Sequence, residues 1–154
     1  YRRGGQARPR NRSTGDWAGT PEMDSVHVLC RLLSGDKDWG IKNKDLKKQA
    51  ELFTDSLPKW EEKKVDLPYW YFATLALYQY GGKDWETWAD TLTESLMENQ
   101  RGYTEADTDT FEAVLDEHGS WDDVDSWYPV GGRVWSTAAC TMMLQVIARY
   151  RRLK

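Results

Sequence analysis

The chain repeats itself, and that repetition limits its possible folds more than any other feature. Ser34-Gly35-Asp36-Lys37-Asp38-Trp39 lines up with Tyr80-Gly81-Gly82-Lys83-Asp84-Trp85, 46 positions further on. The same offset carries Leu29 onto Leu75, Leu46 onto Leu92 and Ala50 onto Leu96. Thr137 and Ala139 fall on Thr74 and Ala76 at an offset of 63, and an insertion near 103–118 accounts for the extra length. A unit of this size is one supersecondary piece that buries its apolar side only by stacking on its neighbours. Two and a half such units make a short array, which leads us to expect that the chain, starting at Tyr1 without Met, is part of something longer.

Periodicity identifies the units as helical. Thr20 caps a helix with Pro21 at its first position, and Met23, Val26, Leu29, Cys30 and Leu33 follow on one face until Gly35. A second helix from about Asn43 aligns Leu46, Ala50, Phe53 and Leu57 and keeps Lys44, Lys47, Lys48 and Glu51 on its other side, with Pro58 as its stop. The third, from Tyr69 to Tyr78, is apolar all round and is expected to be buried on most sides before Gly81-Gly82 ends it. A fourth spans about Asp84 to Asn99 with Trp85, Trp88, Leu92 and Leu96 on one face, and a fifth spans about 133–151. No segment alternates with period two between hairpin turns, so the expected fold is all-α. Apolar helices alternating with one-sided ones describe a layered array, inner helices covered by outer ones. The expected organisation is a basic arm over residues 1–20 and one repeat domain over 21–154. Within that domain, hairpins lie near 21–57 and 69–99, an acidic insertion covers 103–127, and a final inner helix covers 133–151.

Composition excludes several function classes. The formal net charge of −4 provides no overall basic field for nucleic acid, although five arginines crowd the first twelve residues. No apolar run is long enough for a membrane span. Nine acidic residues and no Lys or Arg lie between Tyr103 and Trp127. Nine Trp and eight Tyr against three Phe suit helix packing or a cavity wall with polar tips.

Certain strings resemble a family. Leu96-x3-Gln100, followed after an interruption by Gly119-Ser120-Trp121, is similar to the Gln–Trp repeat of squalene-hopene cyclases and related toroids. Gly131-Gly132-Arg133-Val134-Trp135-Ser136-Thr137-Ala138 and Tyr69-Trp70-Tyr71-Phe72-Ala73-Thr74 resemble the entries to inner helices in prenyltransferase-like repeat proteins. Val28-Leu29-Cys30-Arg31 and Leu57-Pro58-Lys59-Trp60 look like the shorter repeat proteins of this group in planctomycete bacteria. The resemblance covers roughly residues 20–152 and implies an incomplete α/α-toroid in a bacterial protein. It also implies that the Gln100 side chain ties a helix end and that Trp121 stacks at the turn into the next inner helix, with Gly119 between them. In this family the Gln and the Gly-x-Trp are only a few residues apart, so the insertion has either been looped out or has broken the motif.

The chemistry of the family is not complete here. Asp107-Thr108-Asp109-Thr110 superficially resembles a cyclase acid motif, but it lies in a polar insertion where a carboxyl is solvated. His27, Cys30, His118 and Cys140 do not compose a zinc set, and a calcium loop from Asp107 fails at Glu112 and His118. Asp122, Asp123 and Asp125 leave open a looser calcium site. No catalytic residue, metal ligand or cofactor is assigned. Tyr69, Trp70, Tyr71, Arg133 and Trp135 are the candidate cavity residues, because inner-helix starts line a toroid's cavity; aromatics there suit an isoprenoid, a glycan or a peptide. The alternative is that they pack between helices. The expected function is a non-catalytic binding or scaffolding module whose partner is a hydrophobic or peptide ligand, or the rest of the toroid. The runner-up is a fragment of an enzyme acting on isoprenoids.

Overall fold

The computed structural model describes residues 21–61, 64–102, 118–125 and 128–149, with side chains described for residues 23–61, 64–102, 118–125 and 131–148. Helices dominate these residues: α1 (Pro21–Leu33), α2 (Lys44–Glu51) running into a 3-10 turn at Leu52–Ser56, α3 (Leu67–Tyr80), α4 (Gly82–Glu98) and α5 (Tyr128–Arg149). The described residues contain no strand, only an isolated bridge between Gln100 and Trp121. The fold is all-α, as expected.

Local signals start and stop these helices. Asn43 caps α2, its side-chain oxygen accepting from the Leu46 N–H at 2.8 Å. Asp66 caps α3 in the same way through the Tyr69 N–H at 2.9 Å, with Pro68 in the first turn where its missing N–H costs nothing. Gly81, at φ 66°, both closes α3 and opens α4. Two boundaries differ from the sequence expectation. The second helix tightens to a 3-10 turn after Glu51, so its α-helical part is short. Residues 128–149 are continuous except at Gly132, whose φ of 60° breaks the helical geometry where the sequence places the start of the fifth helix. The residues past Arg149, together with 1–20, 62–63, 103–117 and 126–127, lie outside the described set.

α3 is the centre of the packing, flanked by α1 and by α5, with α2 and α4 against the same group. Its sequence contains no charged side chain from Leu67 to Tyr80, and Leu67, Trp70, Ala73, Ala76 and Leu77 are all nearly or wholly inaccessible. α2 and α4 bury one stripe each. Leu46 and Ala50 on α2 and Leu92 and Leu96 on α4, the pairs related by the 46-residue offset, are each completely buried. Their outward residues are Lys44, Lys47 and Glu51, and Lys83, Glu86, Asp90 and Glu94. Placing buried apolar residues such as Leu92 of α4 and Leu46 of α2 in water would forfeit roughly 1.5–3 kcal/mol per side chain, and this holds the outer helices to the core.

The repeated Lys-Asp-Trp string does not take the same local structure twice. In the second unit it forms the first turn of α4, with Trp85 buried edge-on to Tyr78, ring centroids 5.1 Å apart. In the first unit it lies in the loop between α1 and α2, where Asp36 accepts from the Asp38 N–H and Trp39 sits under the Arg31 guanidinium, 4.4 Å from its ring centroid. A second glycine at position 82, where the first unit has Asp36, lets α4 start immediately.

Candidate functional site

The residues with the most specific geometry join the end of α4 to the start of α5. A helix leaves its last carbonyls without partners inside the helix. At the end of α4, Asn99 supplies some: its N–H donates to Leu96 O at 3.3 Å and its side-chain Nδ2 to Ser95 O at 2.8 Å. The Trp121 indole Nε1 also donates to Leu96 O, at 2.7 Å, with the ring only 2 % exposed. Backbone pairing aligns the two chain segments of this junction, Arg101 N to Ser120 O and Gly119 N to Arg101 O, both at 2.9 Å. Gln100 Nε2 donates to Gly119 O at 2.8 Å, and the Trp121 N–H donates to Thr137 Oγ1 on α5 at 3.2 Å. Gln100, Gly119 and Trp121 are therefore together, although 18 residues separate Gln100 from Gly119 in the chain. Residues 103–117 lie outside the described set, but the chain leaves and returns at one place. Gly102 is required there: its φ is 89°, and a Cβ on it would fall 2.1 Å from His118 Cδ2.

Charges reinforce this clasp. Arg101 grips the Asp122 carboxylate with two parallel bonds, Nε to Oδ1 at 3.0 Å and Nη2 to Oδ2 at 2.7 Å. Arg133 Nη1 reaches Asp122 Oδ1 at 2.6 Å and Ser120 Oγ at 3.3 Å. Partial burial raises the Asp122 pKa, but the bonds and positive charges of Arg101 and Arg133 outweigh it and hold the carboxyl below its ordinary value. Arg133, a candidate ligand contact by sequence, is thus engaged in holding the loop. The same geometry argues against calcium on the 122–125 carboxylates, because two guanidinium groups already occupy Asp122 and would repel a cation. Asp125 is buried and accepts from the Trp135 indole at 3.3 Å. Among the described residues no three His, Cys, Asp or Glu side chains are grouped to hold a metal. His27 is buried and Cys30 exposed. Cys140 is buried, and burial raises its thiol pKa, Asp125 adding to the effect. The Asp107–Thr110 segment lies outside the described residues.

The aromatic candidates separate into two groups. Tyr69 and Trp70 are 5 % and 2 % exposed and pack in the core. Tyr69 stands edge-on to both Phe53 and Trp88 and donates its hydroxyl to Phe53 O at 3.1 Å; burial, with Asp66, Asp55 and Asp24 nearby, raises its pKa. Trp70 lies against Trp60, and its carbonyl accepts from the Thr74 hydroxyl, which in turn accepts from the Trp88 indole at 2.9 Å. These two form helix–helix packing rather than a ligand wall. Tyr71 and Trp135 remain accessible. Tyr71, like Phe72 and Leu75 on α3, is half-buried, and Trp135 is 36 % exposed on α5. Trp135 approaches Gly131 so closely that a Cβ there would meet its side chain at 2.3 Å.

Sequence reading did not single out Arg101, Asp122 and Thr137 as one cluster. Arg101 and Asp122 directly follow Gln100 and Trp121, the paired residues, and adjacency to a motif is the only signal that points to them. Comparisons with protein-family models, with curated proteins and with solved structures find no match.

Proposed function

We propose that this chain is a non-catalytic helical-hairpin repeat module of the α/α-toroid type, built like prenyltransferase and squalene-cyclase repeats, that binds an apolar ligand or peptide or scaffolds its neighbours. The observation that carries the reading is the clasp, which brings together Gln100, Gly119 and Trp121 of the resembled motif: Gln100 is tied to Gly119, and Trp121, rather than Gln100, satisfies the end of α4 and is hooked to α5. Two further features support it. The completely buried pairs Leu46/Leu92 and Ala50/Leu96 obey the repeat offset. α3, flanked by α1 and α5, presents Tyr71, Phe72 and Leu75 without a charge among them, a surface suited to apolar ligands. Binding is preferred to turnover because the polar residues of the junction are engaged in holding the chain together.

The test uses farnesol and an apolar helical peptide as probes, titrated against the purified chain, with Tyr71→Glu and Trp135→Glu as variants. Saturable binding weakened at least tenfold by either variant supports the reading. Turnover of a prenyl diphosphate or of squalene, or stoichiometric zinc in the purified protein, defeats it.

A further inference from the structure

The middle helix and the two end helices of the α1–α3–α5 group expose different amounts of equivalent surface. Under the repeat offsets, Gln79 of α3 corresponds to Leu33 of α1 and to Met142 of α5. Gln79 is 8 % exposed, whereas Leu33 is 59 % and Met142 38 % exposed. Half-buried Tyr71 corresponds to Val134, which is 83 % exposed, and half-buried Leu75 to exposed Ala138. Buried Ala76 corresponds to exposed Cys30 on α1. The difference is a neighbour: within this group α3 packs against both α1 and α5, whereas α1 and α5 each pack chiefly against α3.

Helices that face water in this chain carry charge there. α2 turns Lys44, Lys47, Lys48 and Glu51 outward, and α4 turns out Lys83, Glu86, Asp90, Glu94 and Glu98. α5 does the opposite: from Val134 to Ala148 it has no charged residue, although Val134, Ala138, Thr141, Met142 and Gln145 are all exposed. The outward stripe of α1, half-buried Met23 and Val26 followed by exposed Cys30 and Leu33, is likewise uncharged. Uncharged stripes of this length on otherwise charged surfaces mark interfaces.

We infer that two copies of this chain associate head to tail, the α5 edge of one packing on the α1 edge of the next. A second copy is the occupant that already has the matching surface, because the contact extends to a new pair of helices the one made internally between α1 and α3 and between α3 and α5. The edges differ, so the contact is heterologous, and it builds a ring if its rotation closes or an open array if it does not. The inference rests on the repeat reading above, since the equivalences come from the repeat offsets.

The test is complementation, followed by sedimentation over a concentration series. Native chain is expected to self-associate. Val134→Lys on α5 and Leu33→Lys on α1 are each expected to yield monomer alone, because each removes one half of the contact. Mixed together, they are expected to form a one-to-one pair through the edge each retains. Both positions are exposed, so an unchanged helical circular dichroism signal separates lost association from lost fold. A short bis-maleimide, with Ala138→Cys in one copy and native Cys30 in the other, is expected to cross-link the pair. A native chain that stays monomeric at every concentration overturns the inference. So does association that survives Leu33→Lys but not Val134→Lys, the pattern of an α5–α5 contact. If the chain is monomeric while a crystal structure retains α3 between α1 and α5 and the Gln100–Trp121 clasp, the docking proposal falls and the repeat reading stands.

Discussion

Replacing Trp121 by Phe isolates the clasp. The indole N–H reaches Leu96 O at 2.7 Å in a buried setting, and Phe keeps an aromatic ring while deleting that donor. Removing one partner of a buried hydrogen bond costs about 1–3 kcal/mol, because the remaining carbonyl loses a partner it cannot replace with water. Leu96 O keeps only the longer contact from Asn99 N–H at 3.3 Å, which does not restore the loss. The smaller ring adds about 1 kcal/mol of lost packing. The expected total is about 2–4 kcal/mol, and at roughly 2–4 °C per kcal/mol for a chain of this size the Tm falls by about 4–16 °C. Urea unfolding followed by far-ultraviolet circular dichroism measures it; fluorescence is less suitable because nine tryptophans overlap. Gln100→Ala completes a double-mutant cycle. The two residues pair across one bridge, so their effects are expected to couple by about 0.5 kcal/mol or more. A loss below about 0.5 kcal/mol for Trp121→Phe, or strictly additive effects with Gln100→Ala, would refute the view that the clasp holds α4 to α5.

Three further expectations follow from the packing. Gly102→Ala introduces a Cβ into the His118 ring at a backbone angle disfavoured for L-residues, and thermal unfolding is expected to show about 1–3 kcal/mol of destabilisation. Thr74→Val preserves shape but strands the buried Trp88 indole N–H, at a cost of about 1–3 kcal/mol in urea titration. On pH, burial lowers the His27 pKa, with Arg31 adding to it, so His27 stabilises the fold when neutral, above its ordinary value of 6.5, and this contribution is lost as pH falls through the lowered value. Asp122 is also held below its ordinary 3.8, so its contribution is complete above that pH and is lost as pH falls further. Urea midpoints against pH are expected to slope downward in two windows, one below about pH 6.5 flattened by His27→Gln and one below about pH 4 flattened by Asp122→Asn.

Much of this architecture is a property of the sequence alone. The apolar stripes at helical spacing, Asn43 and Asp66 as caps, Pro68 in a first turn and Gly81 at a helix end are local rules, so they place α2, α3 and α4 within a few residues. The charge-free run from Leu67 to Tyr80 already declares a helix with little contact with water, and α3 is the centre of the packing. Periodicity also distinguishes one-sided helices from all-round ones, because only a helix with partners on several sides can dispense with charge.

Tertiary structure alone decided the roles of individual side chains. Tyr69, Trp70 and Tyr71 are consecutive and chemically alike, yet a helix turns each to a different side, so two fill the core and one stays accessible. The two Lys-Asp-Trp strings are identical in sequence, and a single glycine beside one of them, with different neighbours, makes one a helix start and the other a loop. Nor does spacing reveal that Trp121 reaches Leu96 or that Arg101 and Arg133 converge on Asp122. Those contacts join residues 11 to 25 positions apart, whose distance is set by how α4 and α5 pack rather than by any local rule.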